Sequence, residues 1–167
     1  PEISGKDFDE KVVEISALFH DIGRKEDIQD GFLDPMETHE GHDRTGEKIV
    51  ENFVEDFVNS QQLKKIKKAI GNRHSDAKTV EGKILQDADD LSNFGVNNLW
   101  RSIHYSSDHE RTLQEAIDYF WNQQTDQYRE KIENMYFRFT KEKAEERLQR
   151  LKSTIKDIER EINAEDL

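Results

Sequence analysis

Apolar residues recur at steps of three and four along almost the whole chain of 167 residues, and only two prolines and eight glycines interrupt them. That spacing collects apolar side chains on one face of a helix, whereas a strand needs a period of two. Asp7 followed by Glu10 reads as a capping box, and Val12, Ile15, Phe19 and Ile22 form the first stripe. Gly23 is a natural helix stop, and residues 24–41 read as loop. A second helix over about 43–58 carries two rows, Ile49–Phe53–Phe57 and Val50–Val54–Val58. Ser60 caps a third helix with Leu63, Ile66 and Ile70 on one face; Thr79 caps a fourth with Val80, Ile84, Ala88 and Leu91 inward. A further helix is expected at about 110–122, then a highly charged helical tail at about 127–163. No strand pattern of any length is present, so the expected fold class is all-α.

In the tail, Ala144, Leu148, Leu151, Ile155, Ile158 and Ile162 alternate steps of four and three. This is a narrow seam of coiled-coil type. It either packs back on the rest of the chain or pairs two copies in a homodimer. The organisation expected is a compact helical core over 1–125 with a C-terminal helical tail over 126–167.

Charge narrows the functional classes. The chain has 37 acidic against 25 basic residues, a formal net charge of −12. Such a surface disfavours wrapping nucleic acid or coating an anionic membrane. There is no apolar run of transmembrane length, and no signal peptide is expected. There is no cysteine, which excludes disulfides and thiolate zinc sites; a reduced, cytoplasmic setting is expected. A transition-metal site in this chain must be built from imidazole and carboxylate.

The candidates for such a site stand at structurally privileged points. His20 and Asp21 close the first helix, and His42 opens the second. His74 lies one turn beyond Ile70, and Asp87, Asp89 and Asp90 fall within the fourth helix. Each taken singly is a common capping or surface feature; their joint order is what sets them apart.

In that order, Leu18-Phe19-His20-Asp21-Ile22-Gly23-Arg24 resembles the signature of the HD-domain superfamily of metal-dependent phosphohydrolases. Gly41-His42-Asp43-Arg44-Thr45-Gly46, Ala69-Ile70 through Arg73-His74, and Ala88-Asp89-Asp90-Leu91 resemble its later segments, over about residues 8–105. Residues 81–89 are similar to a bacterial subgroup of HD-type nucleotide pyrophosphohydrolases, and Thr140 with Lys143-Ala144-Glu145-Glu146-Arg147 is similar to that subgroup's tail. Asp89 with Asn93 is similar instead to the alarmone hydrolases of the superfamily.

The resemblance implies an HD-type helical bundle that hydrolyses a phosphoester or phosphoanhydride bond in a small phosphorylated substrate, a nucleotide first among the candidates. It implies that His20, Asp21 and Asp89 bind a divalent metal, with Mn, Fe, Co, Ni or Zn preferred over Mg. His42 and His74 would hold a second metal or contact phosphate. Asp21 is the expected catalytic carboxylate; Arg24 and Asn93 are the expected substrate contacts. Two assignments stay open. His39 is a second candidate for the place of His42. Periodicity sets Asp87 near the Val80–Ile84–Leu91 face and Asp89 nearly opposite, while the resemblance favours Asp89.

The family's first metal histidine normally precedes the His-Asp pair on an upstream helix. None of the 19 residues before His20 is histidine, and the chain begins at Pro1 without Met. Either that helix belongs to a longer chain, or the metal site is degenerate. The degenerate case gives the alternative function: a module that binds a nucleotide or protein without turnover.

Overall fold

Asp9 ends the extended approach to the first helix, α1 (Glu10–Phe19), and its carboxylate accepts a hydrogen bond from Val12 N at 3.3 Å. The cap is therefore Asp9 and not Asp7. The difference lies in tertiary structure: the second oxygen of Asp9 accepts from Gln62 Nε2 at 3.0 Å, and its N–H donates to Glu81 Oε1 at 3.3 Å. The computed structural model describes residues 7–24, 41–72 and 76–165. They form α2 (His42–Ile49), α3 (Glu51–Val54), a 3-10 turn (Glu55–Phe57), α4 (Ser60–Gly71), α5 (Val80–Ser92), α6 (Val96–Asp108), α7 (Leu113–Tyr119), a π turn (Phe120–Gln124), α8 (Thr125–Asn134) and α9 (Arg138–Ile162). No strand occurs among the described residues, in accord with the all-α expectation.

The chain divides into two compact units, one running to Gln86 and one beginning at Asp87. The core of the first unit is Val12, Val50, Val54, Ile66 and Ile70, with Ile15, Phe19, Ile22, Val58 and Leu63 packed against it. Of the two rows expected on the second helix, the valine row is buried, while Phe53 and Phe57 are exposed. That helix also breaks where expected continuity would carry it on: Val54 leaves helical geometry and Val58 is extended. Asn59, not Ser60, caps α4, because Gln62 completes a reciprocal capping box with it. Thr79 caps α5 as expected, accepting from Gly82 N at 3.1 Å. On α5, Leu85 is buried and Ala88 is exposed, reversing the expected inward place of Ala88.

In the second unit, Phe94, Ile117, Phe120, Tyr128, Ile132 and Met135 pack with Ala144, Leu148, Leu151 and Ile155 of the α9 seam. The seam is thus used within the chain, with Ile158 partly buried and Ile162 exposed. The expected boundary at 125/126 falls inside this unit, where the π turn joins α7 to α8 without a break. The helical tail expected over about 127–163 is made of two helices, with buried Met135 and Phe137 anchoring the turn between α8 and α9. No helix among the described residues is long and apolar enough to cross a membrane.

Glu81 shows how the first unit holds a carboxylate inside. It is 3% exposed and accepts from Lys65 Nζ at 2.6 Å as well as from Asp9 N. Burial opposes its ionisation, but the Lys65 hydrogen bond and the backbone donors outweigh burial and hold its pKa below the ordinary 4.5. A depressed carboxyl pKa gives stability that is present above 4.5 and lost as the pH falls through the lower folded value. Glu81→Gln should therefore cost about 1–2 kcal/mol near neutral pH, since the Lys65 partner is partly in water. Urea denaturation followed from neutral to acidic pH should show the gap between wild type and variant closing below pH 4.5.

Candidate metal and phosphate site

The turn after α1 is tightly wound, with Ile22 N bonded to Phe19 O and Arg24 N to Asp21 O, each at 3.0 Å. Gly23 sits at its centre, and its conformation is not left-handed. Its reason is proximity: a Cβ there would lie 1.9 Å from the His42 carbonyl oxygen and 2.8 Å from Gly46 N. A Cβ on Gly46 would in turn lie 3.5 Å from Gly23 N and 3.0 Å from Ile70 Cγ2. The expected role of Gly23 as a helix stop is corrected accordingly. The two glycines let the turn lie directly on the first residues of α2.

That approach gathers three of the sequence-derived residues around the carboxylate of a fourth, Asp21. Asp21 Oδ1 lies 3.0 Å from Arg24 Nε and 3.9 Å from His42 Nε2; Oδ2 lies 3.5 Å from His20 Nε2. The arginine contact is a charge-assisted hydrogen bond, while both imidazole separations are charge proximity. His42 is buried, with a side chain 3% exposed against 43% for Asp21. His20 Nδ1 is 2.7 Å from Ala17 O. A carbonyl only accepts, so Nδ1 carries a proton, and Nε2, on the Asp21 side, is the ring nitrogen left to bind a metal. A backbone carbonyl that fixes the tautomer of a metal-binding histidine is the usual supporting arrangement.

On α5 the aspartates separate by role. Asp87 is 1% exposed and accepts from Tyr136 N at 2.8 Å, Phe137 N at 3.0 Å and the Thr140 hydroxyl. Both its oxygens serve the entry to α9, whose N-cap Phe137 has no side chain to do so. The partial positive end of that helix offsets the buried charge. Asp89 is two residues on, about 200° around the helix at 3.6 residues per turn. Its carbonyl accepts from Ser92 Oγ at 2.7 Å and Asn93 Nδ2 at 3.1 Å, and Asn93 Oδ1 accepts from Arg101 Nη1 at 3.1 Å. Burial raises the Asp90 carboxyl pKa, with Lys131 at 3.2 Å partly offsetting it. His39 and His74 lie outside the described residues. Helical spacing alone could not reveal the Asp87 anchor, whose partners lie 49 to 53 residues away; the tail threonine was its one sequence signal.

A family model described as HD domain matches residues 2–93, more than half of the chain. The chain belongs to the HD domain family. The HD domain is generally a family of metal-dependent phosphohydrolases. Its match runs from α1 through Asp89 and Asn93. Among solved structures, the chain is similar to Bacillus subtilis YpgQ, described in complex with ADP. The TM-score is 0.56 at 20% identity, over 91% of this chain and 88% of that one, a likeness of fold. No curated protein matches the chain.

The donors of the HD segment fit a divalent transition metal by type: imidazole nitrogens, one with a fixed tautomer, beside a carboxylate. Among the described residues, no three His, Asp or Glu side chains converge as they stand on one metal-binding point. Arg24 holds the Asp21 oxygen nearest His42, so a metal bonded to that oxygen has the guanidinium as its competitor.

Gly23→Ala should destabilise the protein by roughly 3 kcal/mol, because the new methyl meets backbone that cannot step aside. Gly46→Ala should cost much less, since Ile70 can shift its side chain. Chemical denaturation of the two variants checks this order.

Proposed function

We propose that this HD-domain protein hydrolyses a phosphoester or phosphoanhydride bond in a small phosphorylated substrate, with a nucleotide as its substrate class. The observation that carries the reading is the convergence of His20, His42 and Arg24 on Asp21 within a chain of the HD family. The nucleotide is supported by the ADP bound to the Bacillus subtilis protein of similar fold.

In this reading His20, Asp21 and Asp89 hold a divalent metal, and His42 and His74 hold a second ion or meet the phosphate. When bound, the metal lowers the pKa of a coordinated water and neutralises charge developing on phosphate. The remaining work belongs to the chain. His20 is kept in the tautomer that offers Nε2 by the Ala17 carbonyl. Asp21 is the catalytic carboxylate. Arg24 exchanges Asp21 for a substrate phosphate, which its planar fork can grip with two bonds. Asn93 contacts the substrate, with Arg101 on its amide oxygen adding positive charge beside it.

The net charge of −12 opposes a polyanionic substrate, so recruitment depends on local cations. Metal-free protein should therefore bind nucleotides poorly. With Mn2+ added, turnover should appear on a panel of nucleoside mono-, di- and triphosphates. Asp21→Ala should lower it by about a hundredfold or more, corresponding to several kcal/mol of lost transition-state stabilisation. Metal-independent nucleotide binding with no turnover, unchanged in Asp21→Ala, would favour the module that binds without hydrolysis.

A further inference from the structure

The last turn and a half of α5 is fixed by residues far along the chain. Upstream of Asp89, the Asp87 carboxylate takes Tyr136 N, Phe137 N and the Thr140 hydroxyl. The Thr140 oxygen also lies 2.7 Å from Phe137 O. Its single proton favours the charged carboxylate as acceptor. Downstream of Asp89, Arg147 Nη1 donates to Leu91 O at 2.9 Å. The stem of Arg147 lies along Gly95, where a Cβ would be 3.5 Å from its Cβ and Cγ. Thr140 and Arg147 are two turns apart on α9, so a single rigid helix grips α5 on both sides of Asp89.

We propose that Thr140 and Arg147 are positioning residues for Asp89, setting through Asp87 and the Leu91 carbonyl the height and rotation of the α5 segment that carries it. The inference rests on Asp89 being a metal ligand. Its physical basis is a difference in tolerance. A side-chain tip stands about 5–6 Å from a helix axis, so a rotation of about 10° displaces it by about 1 Å. Bonds to a metal hold to about 0.2 Å. A ligand on a helix end therefore needs that end held against rotation, and one bond on each side of it does so where a single bond would leave a pivot. The tail threonine and arginine thereby belong to the site without touching it. Asp87 and Asp89 divide the work, one carrying the grip and the other delivering its result.

The test is the affinity of the full chain for Mn2+ alone, measured by calorimetry well below the unfolding temperature of every variant. Thr140→Val and Arg147→Met should each weaken Mn2+ binding by about tenfold, the lower end for loss of a supporting contact. Thr140→Ser, which keeps the hydroxyl, should restore it. Leu148→Ala empties a buried seam position on the same helix and is the control for general destabilisation. It should lower the unfolding temperature and leave Mn2+ affinity unchanged. Asp89→Ala should weaken binding further than either positioning variant. If Asp89→Ala leaves affinity intact, the ligand assignment itself is wrong and the inference falls with it. If Asp89→Ala weakens binding but Thr140→Val and Arg147→Met do not, the ligand stands and the positioning role is overturned. Equal weakening in Leu148→Ala would overturn it also.

Discussion

The absence of a side chain at Gly23 is the constraint on which the HD segment depends. One methyl group there would collide with the His42 carbonyl, and the turn that carries His20, Asp21 and Arg24 could not lie on the start of α2. Because it does, two imidazoles and a guanidinium come within 4 Å of one carboxylate. Within that cluster the Asp21 carboxylate faces the Arg24 guanidinium, which is always charged, and the ring nitrogens of His20 and His42. Displacement of Arg24 from Asp21 couples the two halves of the proposed chemistry, since the group freed by a metal is the group that would receive phosphate.

The second unit uses a buried carboxylate differently. Asp87 has no lysine or arginine against it in the bonds that define its place; peptide N–H groups and a hydroxyl at the head of α9 take its charge. An isolated buried carboxylate would be costly, and a helix entry without its own cap would leave donors unmet. Each deficiency answers the other. This also explains why the long charged tail has a defined place, with its apolar seam set on α6–α8 by burial and its start set by Asp87.

Elements whose burial follows from local spacing were legible in the sequence. Val12, the Ile66–Ile70 row and the Ala144–Ile155 seam are buried as their periods require, and Ile15, Phe19 and Ile22 of the first stripe pack partly buried against the same core as Val12. Where two apolar rows compete, spacing is silent: Val50 and Val54 won over Phe53 and Phe57 through packing with α1 and α4. Caps were legible only in part: Thr79 was found, whereas Asp9 and Asn59 stand one or two residues from the residues read as caps, Asp7 and Ser60. The same limit applies to the site. The resemblance picked out His20, Asp21 and His42 and favoured Asp89, but the reason Asp87 is occupied elsewhere is a contact across 49 to 53 residues. Gly23 was read as a helix stop because a sequence does not show which backbone will pass 1.9 Å from an added methyl.

The central claim is that Asp21 is the hub of a metal-dependent site. It is tested most directly by crystals grown with Mn2+ and measured for anomalous scattering, in wild type and in Asp21→Ala. The account predicts a strong Mn peak bonded to His20 and Asp21 in wild type, and its loss in the variant. A peak that survives in Asp21→Ala, or Mn bound elsewhere with none at Asp21, would contradict it.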